Sequence, residues 1–177
     1  DEYLNLVMNM NEVYTPIDRS RLEDLLWTVR EGATSFVEDL SNRILELDPK
    51  IVGCSSTFCQ HVPSLALLRR IHELSPKVIT ILGGANCETM MGLSTHRLFP
   101  WVDYAVSGEA DGLIVSLTRS ILEKGREVGP EELPTGVFGP AHRTSGYPKS
   151  GDSGCNGIPR ATTGSLEDYP VPNYDDF

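Results

Sequence analysis

Three short runs of small and polar residues hold the chemistry that this sequence announces: Ser55-Ser56-Thr57, Gly83-Gly84-Ala85-Asn86 and Ser107-Gly108-Glu109. Hydroxyls offer donors and acceptors without bulk, and two consecutive glycines remove both side chains where a ligand must approach the backbone closely. Such groups bind, and no catalytic residue is assigned among them. Each run also has a plain structural reading, since Gly after a strand permits a tight turn and Ser or Thr there caps the next helix. The functional reading gains weight only if the three meet in one crevice. That pocket would be wide and polar at its edges, suited to a large nucleotide-bearing cofactor rather than a small anion.

The other reactive side chains point nowhere as specific. Cys54, Cys59, Cys87 and Cys155 lie 5, 28 and 68 positions apart, a spacing that fits neither a disulfide framework nor a zinc ribbon. A metal site from Cys59, His61, Cys87 and His96 matches no common pattern, so no metal ligand is assigned. A Cys59 nucleophile is disfavoured too, because His61 is only two residues away and catalytic partners usually meet through the fold. A phosphorelay receiver needs a carboxylate cluster at the strand ends, where only Glu109 and Asp111 occur. The sequence contains no Cys-x-x-x-Cys-x-x-Cys run, so one loop cannot present three thiolates to an iron–sulfur cluster.

The elements that must position these runs follow from periodicity. Residues 1–12 fit either a helix or a short strand, with Tyr3, Leu4, Val7 and Met8 at helical spacing. Thr15-Pro16 and Asp18 then read as a helix start, followed by a stripe of Leu22, Leu25, Leu26 and Val29 that Gly32 is expected to end. A second helix carries Phe36, Val37, Leu40, Ile44 and Leu47, and Asp48-Pro49 stops it. From Ile51 short apolar strands (51–55, 78–82 and 104–107) alternate with amphipathic helices (62–74, 89–98 and 111–124). Strands joined by helices of that length are parallel with right-handed crossovers, so the expected fold class is α/β, a doubly wound parallel sheet of Rossmann-like or flavodoxin-like type. Its strand carboxyl ends share one edge, and all three runs lie on it.

Composition sets the remaining bounds. The chain has 177 residues, 40% of them hydrophobic, which is room for one domain and a tail. A formal charge of -10 without a basic run argues against nucleic acid. No stretch is long enough for a membrane span and no signal peptide opens the chain, so a soluble, cytoplasmic location is expected. From Gly139 onward Gly and Pro make up 11 of 39 residues, which reads as a linker or mobile loop. The expected division is a helical lead-in over 1–50, the α/β domain over 51–138 and a linker over 139–177.

The strings Ile51-Val52-Gly53-Cys54-Ser55-Ser56-Thr57, Ile81-Leu82-Gly83-Gly84-Ala85-Asn86 and Val106-Ser107-Gly108-Glu109 resemble, in order and spacing, the cobalamin-binding domains of radical S-adenosylmethionine (SAM) enzymes. The likeness is strongest to the C-methyltransferases that mature ribosomally made peptides (RiPPs), and covers about residues 33–138. The closing run from Leu166 to Phe177 looks like that family's lead-in to its radical domain.

The resemblance implies cofactor contacts at Ser55, Ser56, Thr57, Gly83, Gly84, Ala85, Gly108 and Glu109. Ser55 would bond the nucleotide tail, Gly83 and Gly84 would let it pass, and Gly108 and Glu109 would close the far side near the sugar or phosphate. It implies cobalamin as this domain's cofactor, with SAM and a [4Fe-4S] cluster in a separate radical domain that, with a peptide substrate, would be the partner. The family's Asp-x-His-x-x-Gly cobalt-ligand motif is absent, which agrees with the branch that binds cobalamin without a protein ligand. The family's opening strands also lack a counterpart, so either the domain is entered partway or residues 1–12 replace one of those strands, and a sheet missing its central strand would be exposed and prone to oligomerise. On this reading the chain holds methylcobalamin for methyl transfer to an unactivated carbon and does not catalyse alone. The alternative is a non-catalytic protein-interaction module of α/β fold.

Overall fold

The computed structural model describes Leu6, residues 18–148 and residues 157–165. Four strands, β1 (Ile51–Ser55), β2 (Ile79–Gly83), β3 (Tyr104–Val106) and β4 (Val137–Phe138), lie side by side in that order. The first three are parallel and β4 is antiparallel to β3. Helices α1 (Arg19–Leu45), α2 (His61–Leu74), α3 (Met90–Leu98), α4 (Ile114–Lys124) and α5 (His142–Ser145) surround them. The molecule is an α/β fold with a mainly parallel, Rossmann-like sheet.

The strand register sorts the apolar residues into two cores. Val52, Leu82 and Ala105 meet Leu65, Leu68 and Ile71 of α2 and Leu93 of α3 on one face. Ile79, Ile81, Tyr104 and Val106 meet Leu113, Leu117 and Ile121 at and along α4 on the other. This alternation follows from the two-residue period of a strand and the helical spacing of the α4 stripe. Strand β1 pairs only with β2, so it forms an edge of the described sheet. Gly53 and Ser55 are exposed on its α4 side.

Several expectations change. The lead-in is one 27-residue helix rather than two, and it runs straight through Gly32. A glycine inside an exposed helix costs about 1 kcal/mol, less than good helix formers on both sides supply. Its N-cap is Asp18, whose carboxylate accepts the Arg21 N–H at 3.2 Å. Residues 1–5 and 7–17, with the helix-or-strand segment and Thr15-Pro16, lie outside the described residues.

The second strand begins one residue late because the Val78 N–H donates to Ser75 O in a turn. The third ends at Val106 because Ser107 bonds elsewhere, to Gly136 and Ala161. Helix α4 starts at Ile114, not at 111, and Ile114 is rim-exposed at 37%.

Part of the stretch read as linker is packed. His142 meets Phe138 edge-on and Tyr147 packs against it at a tilt, while Ile158 joins one core and Ala161 the other. The closing run, 166–177, lies outside the described residues. Among the described residues no helix is long and apolar enough to cross a membrane.

Candidate functional site

The strand ends bring the first two polar runs into direct contact. The Ser56 N–H donates to Gly83 O at 2.8 Å, and the Asn86 N–H donates to Ser56 O at 3.0 Å. Asn86 adds its side-chain amide, which donates to Ser56 Oγ and to Phe58 O, each at 3.0 Å. Gly84 has φ 88, a conformation that favours glycine, and lies flat against Ser56. Ser56 itself is fully buried, so its hydroxyl belongs to this clamp. Thr57 caps the short turn Phe58–Gln60, its N–H bonded to the Gln60 side chain at 2.9 Å. Ala85 opens the matching turn Ala85–Cys87.

Beside this clamp lies a cleft of about 310 Å³. Its floor is the α4 side of the sheet at Gly53, Ser55, Ile81 and Gly83, and Val106, Ala110 and Ile114 wall it. Register explains the floor: Ser55 stands opposite Gly83 and Gly53 opposite Ile81, so three small residues share one corner of the sheet. The Ser55 side chain has no hydrogen-bond partner among the described residues. A Cβ on Gly84 would stand 3.1 Å from the Ser55 hydroxyl oxygen, which puts that oxygen over the Gly84 backbone.

Gly108 and Glu109 adjoin a different groove of about 610 Å³, lined by Leu113, Thr135 and Arg160 to Gly164. Glu109 turns toward residues 157–165, where its carboxylate accepts the Thr163 N–H at 2.6 Å. The three runs therefore share an edge, but only the first two border the cleft, through Ser55, Gly83 and Gly84. Ala110, the next residue after Glu109, is the third loop's contribution to it. From the sequence Ala110 carries no signal, Ile114 reads as a core residue of its helix stripe with Leu113, Leu117 and Ile121, and Asn86 stands in the second run without a contact assigned to it.

Cys87 and Cys54 serve packing. The Cys87 thiol is pushed up to about 12 by burial, and burial also raises Cys54. Cys59 is exposed and Cys87 fully buried, and among the described residues no group of three or more His, Cys, Asp and Glu side chains could hold a metal ion. A larger concavity, about 750 Å³, is a trough between α1 and α2 whose rim charges pair with one another, Arg70 with Glu38 at 2.5 Å and Arg69 with Glu73 at 2.8 Å. It is lined by helix residues between Ala33 and Glu73 with Phe99 and Trp101, and by none of the three polar runs, so the smaller cleft at the strand ends is the candidate site.

No family model matches the chain. A stretch of 100 residues, 56% of the chain, is 26% identical to an anaerobic magnesium-protoporphyrin IX monomethyl ester cyclase of Rubrivivax gelatinosus, and it spans 18% of that protein. The likeness gives distant support for a domain related to the radical S-adenosylmethionine enzymes.

Proposed function

We propose that this chain is the cobalamin-holding domain of a radical S-adenosylmethionine methyltransferase, with the nucleotide tail of the cofactor lying in the cleft between β1, β2 and α4. The observation that carries the reading is the convergence of Ser55, Gly83 and Gly84 on one cleft at the carboxyl edge of a parallel sheet. Ligands bind such sheets at that edge.

The residues fit the group. Gly83 leaves open the space beside Val106 that a side chain would take, its ideal Cβ standing 3.7 Å from Val106 Cβ. Ile81, Val106, Ala110 and Ile114 give an aromatic base an apolar bed, where burial contributes roughly 25 cal/mol per Å². The Ser55 hydroxyl can bond a polar atom of the tail, and Gly84 lets the chain of the tail pass over backbone.

When bound, methylcobalamin supplies the methyl group. This chain binds and orients it: Ser55 fixes the tail by one hydrogen bond, and Val106 with Ile114 excludes water from the cleft. The radical step, with its cluster and S-adenosylmethionine, belongs to a separate domain that also meets the peptide substrate. A second reading, a protein-interaction module, is favoured by the exposed apolar side chains of α1, Leu25 at 55%, Val29 at 62% and Phe36 at 64%.

Hydroxocobalamin added to the chain, followed by gel filtration and a visible spectrum, separates the two. Retention near one equivalent, lost in Ser55→Leu, supports the cobalamin reading. A colourless folded protein favours the interaction module.

A further inference from the structure

Residues 157–165 return to the carboxyl edge of the sheet and lie across the third loop as a strap. The Ala161 N–H donates to Ser107 O at 2.8 Å, and the Glu109 N–H donates to Ala161 O at 3.0 Å. The Thr163 N–H donates to the Glu109 carboxylate at 2.6 Å. Arg160 pairs with Glu88 at 2.7 Å and reaches Glu109 at 3.8 Å. Backbone conformation has shaped a slot for this strap. Gly108 (φ 92) and Gly136 (φ 88) both lack the Cβ that would collide with the backbone of Ala161.

The strap contacts two loops, at Glu88 and at Glu109, that each lead into the cleft's lining. Glu88 closes the turn that follows Gly84, and Glu109 precedes Ala110, which walls the cleft with Ile114. Arg160 thus stands between two carboxylates on two loops. Lifting the strap removes that cation from between like charges and takes the Thr163 amide from Glu109, so the loop that carries Ala110 relaxes. A ligand seated against Ala110 and Gly84 holds the same loops where the strap fits.

We propose that Glu109 is a positioning residue and not a cofactor ligand: through Thr163 and Arg160 it couples the strap to the cleft wall at Ala110, so that filling the cleft and docking the strap reinforce each other. This rests on the cleft being the cobalamin site. Linkage makes the coupling reciprocal, so whatever factor the strap contributes to cofactor affinity, the cofactor returns to strap docking.

The test uses the full chain with hydroxocobalamin as the probe. Hydrogen exchange at the Ala161 and Thr163 amides should slow about five-fold or more on binding, the lower end of ordinary allosteric coupling. Thr163→Pro removes the donor to Glu109, and Arg160→Gln removes the bridging charge. Each should weaken hydroxocobalamin binding about five-fold or more while thermal melts stay near wild type. Glu109→Ala should cost affinity in the native background and little in the combined Thr163→Pro, Arg160→Gln background, because it acts through the strap. An equal loss in both backgrounds would place Glu109 on the cofactor and overturn the proposal. So would hydroxocobalamin binding that leaves the Ala161 and Thr163 exchange rates unchanged, a measurement that needs no variant. No retention by the wild-type chain overturns the cobalamin reading, and the coupling with it.

Discussion

A Cβ on Gly84 would stand 2.6 Å from the Ser56 carbonyl oxygen, whereas one on its neighbour Gly83 would meet nothing closer than Val106 Cβ at 3.7 Å. The two glycines therefore serve different ends. Gly84→Ala forces a side chain into a left-handed backbone and against Ser56, and should destabilise the fold by about 2 kcal/mol. Gly83→Ala should fold normally. Gly83→Leu fills the cleft from its floor, so denaturant melts should stay near wild type while hydroxocobalamin retention is lost. A folded Gly83→Leu that still retains the cofactor would move the site elsewhere.

Asn86 joins the first two loops through Ser56 Oγ and Phe58 O. Phe58 is held at φ 47 with its side chain 91% exposed, so its backbone relies on such ties. Asn86→Ala removes two hydrogen bonds at a part-buried site. The expected loss is about 1 to 2 kcal/mol in urea melts, with weaker hydroxocobalamin retention. Asn86→Asp keeps an acceptor but loses the amide donor, and should behave like the alanine variant.

The parts of this molecule that could be read in advance are those whose cause is local. The alternation of strand and helix from Ile51 to Lys124 is written in side-chain periods, and the parallel sheet then obliges Ser55 and Gly83 to share an edge. What escaped depends on distant partners. Strand β4 has two residues and exists by pairing with β3, and Glu109 meets Thr163 across 54 positions. The Gly32 break failed for the opposite reason, because a local signal was outweighed by the helix around it. Residues around Gly139 read as linker because their packing rests on one histidine and one tyrosine, not on a period.

At the other end of the sheet, the buried Asp103 and the part-buried Arg126 form a clamp. Arg126 Nε donates to Asp103 Oδ1 at 2.6 Å and its Nη2 donates to Oδ2 at 2.8 Å, while the Thr80 N–H also donates to Oδ2 at 2.9 Å. The Asp103 side chain is 4% exposed, so removing its partner strands a charge in the core. Arg126→Met should cost about 3 kcal/mol by urea melt. Asp103→Asn combined with Arg126→Met should recover part of that loss, since neither charge then remains. If the double variant is less stable than Arg126→Met alone, the clamp's value lies in its hydrogen bonds to Thr80.

His96 gives the fold a predictable acid limit. Its Nε2 bonds the Asp103 carbonyl at 2.9 Å and must donate there, which leaves Nδ1 to accept from the Tyr147 hydroxyl at 2.8 Å. The ring is fully buried, and burial first, with the neighbouring Arg143 charge second, holds its pKa down to about 4. Burial also lowers His142, stacked on the same tyrosine. An unfolded chain takes up the His96 proton near pH 6.5, and the folded one not until about pH 4. Stability from the neutral ring is therefore complete above pH 6.5 and falls through that window, by about 3 kcal/mol at its end. Urea midpoints should drop between pH 7 and pH 5 in the native chain. His96→Gln should be less stable at pH 7 yet show a shallower drop, because it has no proton to gain. An equally steep drop in that variant would assign the acid sensitivity to other groups.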